Sequence, residues 1–163
     1  QLYFGVGDIE VFTTHFSFGV FYMHFFGSPL AKFNIGFSAG INLRIESMKK
    51  YESDQSTFIE TDIKLLFKFF GYHHNMFIGI GGSFKTLLSS EHIDLGAYGF
   101  DMKRYHYGGI FDIGYMYLSN SLNAGFVASF YTKVMNYKRK NSYSSQKIDI
   151  WFGFKLSALI SIY

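Results

Sequence analysis

Apolar and polar residues alternate along most of this chain. Between 32 and 46, Phe33, Ile35, Phe37, Ala39, Ile41, Leu43 and Ile45 share one parity, while Lys32, Asn34, Gly36, Ser38, Gly40, Asn42, Arg44 and Glu46 share the other. Side chains on extended backbone point alternately to opposite faces, so a period of two predicts a strand with one apolar face. The pattern returns in 58–70, 76–86, 103–117, 122–135 and 147–162. Two further strands are expected at about 2–12 and 15–27. In the second, Phe16, Phe18, Val20 and Tyr22 oppose His15, Ser17 and Gly19. In the first, Leu2, Phe4 and Val6 share parity with Asp8 and Glu10, so a bulge near Gly5–Gly7 is expected to exchange the faces. No stretch has a helical period.

The connections differ in length. Residues 27–30, 71–75 and 119–121 are tight turns rich in turn formers, whereas 47–57, 87–101 and 138–146 are longer and polar. Short turns on one rim and long loops on the other describe an up-and-down antiparallel meander. The expected fold class is all-β: an eight-stranded antiparallel up-and-down transmembrane β-barrel, residues 1–163 forming one domain.

Composition narrows the choice of solvent for the apolar face. The 163 residues include 17 Gly, 21 Phe, 13 Tyr and one Pro, with 21% aromatics. No run of about 18 apolar residues exists, which excludes an ordinary transmembrane helix. The net charge of +3 is scattered, which argues against a nucleic-acid surface, and the absence of cysteine excludes a disulfide scaffold or thiolate site. No signal peptide is visible, and the opening Gln-Leu-Tyr-Phe fits either a processed or a trimmed chain.

A soluble calycin-like barrel turns its apolar face inward, and a membrane barrel turns it outward. Side-chain size separates the two. The apolar face carries bulky Phe, Ile, Leu and Tyr, and the polar face carries mainly Gly, Ser and Asn with intermittent charges. The interior of an eight-stranded barrel is just wide enough for side chains to fill. Gly36, Gly40, Gly79, Gly81, Gly108, Gly114, Gly125 and Gly153 suit that narrow space, whereas on a water-facing surface they would only weaken the strands. Tyr105 and Tyr107 stand at one end of their strand and Tyr115 and Tyr117 at the other, with Phe111 and Ile113 between, as in two interfacial girdles around a hydrocarbon band.

In its alternating strands, three short turns and three long loops, the chain resembles the small eight-stranded outer-membrane barrels of the OmpA transmembrane-domain and OmpX type. That resemblance implies residence in the outer membrane of a diderm bacterium, contact with its lipid and a monomeric state.

Charges facing a narrow lumen must pair or meet water. The expected network comprises Asp8, Glu10, Arg44, Glu46, Glu60, Asp62, Lys64, Lys68, Asp112 and Lys155, with Asp8 opposite Lys155 where the first and last strands meet. Arg44, Glu46, Glu60 and Asp62 flank one long loop and should cluster at one mouth. Such a network plugs the barrel; a gated ion path is the sharper alternative. His106 is expected in the lumen. The adjacent His73 and His74 diverge on extended backbone and lack accompanying carboxylates, so they read as a turn pair and no metal site is expected. His15 and Ser17 share a face and look like the His-x-Ser pair of outer-membrane lipid A deacylases, but no supporting acid accompanies them. Lys49, Lys50, Tyr51, Lys138, Arg139, Lys140 and Tyr143 are loop binding candidates, since loops on a rigid scaffold often carry recognition.

The expected function is accordingly non-enzymatic and cofactor-free: membrane structure, or binding of an external protein or host ligand through the loops. The alternatives are a soluble carrier of a hydrophobic ligand and a lipid A-modifying enzyme.

Overall fold

A computed structural model describes residues 2–12, 15–28, 31–47, 55–70, 73–90, 105–119, 124–137 and 147–162. It describes the side chains of 16–28, 31–45, 57–70, 73–88, 105–119, 124–136 and 150–160. The fold is all-β, with no helix among the described residues. The strands are β1 (Leu2–Phe12), β2 (His15–Phe25), β3 (Phe33–Ser47), β4 (Gln55–Phe69), β5 (His74–Ser90), β6 (Tyr105–Leu118), β7 (Ala124–Tyr137) and β8 (Lys147–Ile162). Each strand from β2 to β8 pairs antiparallel with its neighbours in the chain, giving a strongly curled up-and-down sheet. The backbone of β1 pairs with β2 along one edge and β8 along the other, so the strand order returns to its start.

Several strands outrun the alternation that predicts them. β4 begins at Gln55 rather than at 58, and β5 runs from His74 to Ser90 rather than from 76 to 86. Their polar ends stay in register: Gln55 and Ser56 pair with Ser47 and Glu46, and Thr86 pairs with Ile59 and Tyr105. The backbone ladder needs only donors and acceptors, so pairing continues where apolar side chains stop. Two of the intervals between strands shorten, to 48–54 and 91–104, and the third stays at 138–146. His74 opens β5, outside the turn expected for it. At the opposite rim, Gly27 takes φ +88° to close the β2–β3 turn, a region open to glycine at little cost.

β1 contains the expected irregularity slightly further along. Its register shifts between Val6 and Glu10 against β2, and between Val6 and Ile9 against β8. The expected pairing across this seam changes as a result. Glu10, not Asp8, stands opposite Lys155: counting on from the Val6–Ala158 pair puts Ile9 there, and the one-residue shift moves the place to Glu10.

The two faces separate by chemistry. Among the described strand side chains, every Asp, Glu, Lys and Arg belongs to the inward parity: Arg44, Glu60, Asp62, Lys64, Lys68, Lys85, Asp112, Lys133 and Lys155. The outward parity is mostly apolar. It includes Ile63 at 62% exposure, Phe130 at 65% and Phe152 at 63%, with Phe18, Ile41, Ile80 and Ile160 also exposed. Soluble monomers rarely show contiguous apolar surface beyond a few hundred Å².

The interior divides into two zones, which corrects the expectation of a uniformly polar lumen. Towards the short-turn rim, Phe21, Met23, Phe25, Leu66, Phe77, Met116, Leu118, Val127 and Leu159 form a continuous buried apolar cluster. These residues interrupt the small and polar parity, and their side chains pack across the barrel into one plug. Towards the loop rim the interior is charged. Space is rationed by setting large side chains against glycines. The Tyr131 ring occupies the place where a Cβ on the neighbouring Gly153 would stand. Gly153→Ala should therefore destabilise the fold by about 1–3 kcal/mol through overpacking. Adding Tyr131→Val should restore part of that loss in urea unfolding of the refolded protein.

Candidate functional site

The charged zone lies on β3–β8, whose alternation turns every second residue inward. Arg44 on β3 donates from Nη1 to Oε2 of Glu60 on β4 at 3.0 Å, and Ser83 Oγ on β5 donates to Glu60 Oε1 at 3.1 Å. Lys133 reaches across from β7, its Nζ lying 3.1 Å from Glu60 Oε1 and 3.1 Å from Asp62 Oδ2. Lys64 on β4 pairs with Oδ2 of Asp112 on β6. The Asp112 carboxylate fills the place where a Cβ on Gly79 would stand, so that glycine admits the acid.

Aromatic faces hold the remaining cations. Lys85 Nζ lies 3.9 Å from the Phe58 ring centroid and 5.4 Å from that of Trp151, and the Arg44 guanidinium is 5.0 Å from Trp151. Lys155 Nζ is 5.5 Å from the Phe21 ring, where the charged zone meets the plug. Lys68 sits near the turn rim with Nζ 5.5 Å from the Phe25 ring. Desolvated cation–π contacts contribute about 2 kcal/mol or more each.

The structure thus brings together Arg44, Glu60, Asp62, Lys64 and Asp112 from the expected set, with Lys155 and Lys68 further towards the turns. Lys85, Lys133 and Trp151 complete the cluster although only sequence parity marks them. Spacing along one strand says nothing about a partner three strands away. The backbone register sets Glu10 against Lys155 and Ser17. The side chains of Asp8, Glu10 and Glu46 lie outside the described residues. So do the loop candidates Lys49, Lys50, Tyr51, Lys138, Arg139, Lys140 and Tyr143.

His106 is inward and buried, its ring 6.1 Å from that of Phe58. Ser17 is also inward and fully buried, and the side chain of His15 lies outside the described residues. His73 Nδ1 lies 3.1 Å from the Leu118 carbonyl oxygen, and His74 contacts the Tyr115 hydroxyl on the outer surface. Among the described residues no group of His, Cys, Asp and Glu is arranged to hold a metal ion.

The two cavities among the described residues are small. One cavity between the charged zone and the plug offers water centres about 20 Å³, and a second, beside Lys85 and Trp151, about 10 Å³. A single water needs roughly 10–15 Å³ by that measure. These spaces suit a filled interior better than a ligand chamber. No known protein family matches this sequence, and no curated protein does either.

The Lys133 ammonium is the strut between two buried carboxylates. Lys133→Met should cost about 3–5 kcal/mol in urea unfolding, because Asp62 loses its cation while buried. Pairing it with Asp62→Leu should recover part of that loss, since no unpaired charge then remains.

Proposed function

We propose that this chain is a monomeric eight-stranded transmembrane β-barrel of the outer membrane of a diderm bacterium. In architecture it is similar to the OmpA transmembrane domain and OmpX. Its role is structural and adhesive: it spans the bilayer with a filled, charged interior. External ligands are met at the rim where the paired ends of β3 and β4, β5 and β6, and β7 and β8 lie.

One observation carries the reading. Among the described strand side chains, those of the outward parity include exposed Phe, Ile, Leu and Tyr and not a single Asp, Glu, Lys or Arg, while the charges lie inside. That is the polarity a lipid solvent selects, since Arg or Lys at the mid-bilayer surface of a barrel costs about 2–4 kcal/mol. The spacing of the tyrosines agrees. Tyr107 to Tyr115, at about 3.3 Å per residue and a tilt near 40°, spans about 20 Å along the barrel axis, and Tyr105 to Tyr117 about 30 Å. The apolar band of such barrels is about 25 Å tall. At the turn end an outward belt of His24, Phe26, Phe37, His74, Tyr117 and Phe126 has ring separations of 5.0–6.0 Å, fitting an interface where one side of a ring is wet.

A hydrophobic-ligand carrier needs an apolar chamber of several hundred Å³, and the charged interior does not favour that. A lipid A-modifying role would need Ser17 to face acyl chains, and its burial inside the sheet argues against it.

Single cysteines at Phe37 and Ser38, carrying a fluorophore, test the reading in refolded protein placed in vesicles. A quencher attached to lipid acyl chains should dim the label at 37 several-fold more than that at 38. Equal quenching, or a protein that stays monodisperse in buffer without detergent, rejects the proposal. Ile63→Arg, on the outward face, should lower stability in bilayers by about 2–4 kcal/mol.

A further inference from the structure

We propose that the cavity between the charged zone and the apolar plug is a binding site for one water molecule, which joins two ion pairs into a single network. The inference rests on the interior alone and is independent of what solvent surrounds the barrel.

Three side chains lining this cavity carry a buried oxygen with no hydrogen-bond partner: Ser38 Oγ, Asp62 Oδ1 and Asp112 Oδ1. All three residues are at least 97% buried. In each carboxylate the other oxygen is already engaged, Asp62 Oδ2 by Lys133 at 3.1 Å and Asp112 Oδ2 by Lys64. An orphaned buried acceptor costs about 1–3 kcal/mol, so three around one void call for a guest. The void admits about 20 Å³ of water centres, enough for one water and too little for an organic ligand.

Donor and acceptor counts identify the guest. A carboxylate oxygen only accepts, and a serine hydroxyl donates one hydrogen. Water donates its two hydrogens to Asp62 Oδ1 and Asp112 Oδ1 and accepts the third from Ser38. A monovalent cation suits the lining less well, because Lys133 and Lys64 already balance the two carboxylates and Lys155 adds a further positive charge to the lining. The floor is apolar, formed by Phe21, Met23, Phe77 and Val127, and Ser129 and Ser157 complete the polar lining. The water would link Lys133–Asp62 on β7 and β4 to Lys64–Asp112 on β4 and β6, with β3 joined through Ser38.

Crystals of the refolded full chain grown in rubidium chloride provide the test. One peak within hydrogen-bond distance of all three oxygens, lacking anomalous signal at the rubidium edge, is expected. An empty cavity, a direct Ser38–carboxylate contact that closes it, or a rubidium signal overturns the proposal. The network has its own readout in the unfolding equilibrium. Lys64→Met and Lys133→Met should be non-additive by at least about twofold in the otherwise unchanged protein, as for groups sharing one network. In a Ser38→Val background, where the added methyl displaces the water, the two effects should become additive. Coupling that survives Ser38→Val, or is absent without it, also overturns the proposal. If Ser38→Val does not fold, the crystal and the coupling in the unsubstituted background still decide.

Discussion

The girth of the curled sheet governs the rest of this structure. Every charged strand side chain that is described points into the same narrow interior, where there is room for side chains and little else. A charge so confined cannot draw on bulk water, and leaving it unpaired costs several kcal/mol. Lys133 therefore contacts two carboxylates, Glu60 is approached by Arg44, Lys133 and Ser83, and Lys85 lies against aromatic rings. The same confinement explains the glycines, since the Tyr131 ring and the Asp112 carboxylate fit only where the adjacent strand lacks a Cβ.

The two interior zones divide the labour. Around Phe25, Phe77, Met116 and Leu159, close apolar packing stabilises the turn half and excludes water. Around Arg44, Glu60 and Lys133, direction-dependent contacts tie together strands that are far apart in the chain. A polar layer of this kind adds little net stability beyond what apolar side chains of equal volume supply, but it penalises any slip in register that separates its members. Both zones argue against a pore, one by apolar closure and the other by occupancy, and they leave the rim connections as the surface for recognition in the reading proposed above.

Much of this was legible along the chain. Phe37 points out and Ser38 in, and Tyr107 out and His106 in, because alternation on extended backbone assigns faces without reference to any neighbour. The β2–β3 turn position followed from Gly27 and Ser28, whereas His74 and Asn75, read as turn residues, lie in β5. Strand ends were less legible, since Gln55, Ser56 and Thr86 remain in the ladder on backbone hydrogen bonds alone. The plug was missed for a different reason. Leu66, Phe77, Val127 and Leu159 each interrupt a polar parity singly, and only their convergence with the ends of β2 and β6 makes a cluster.

The sequence by itself determined the strand period, the antiparallel meander and the chemistry of each face, because these depend on neighbours one or two residues apart. Tertiary structure decided which charges meet. The register shift in β1 brings Glu10 opposite Lys155, where an unshifted ladder has Ile9, and the curvature of the sheet brings Lys133 on β7 to Glu60 and Asp62 on β4. Both depend on how the sheet curls and where it closes, a property of all the strands together that no local pattern encodes.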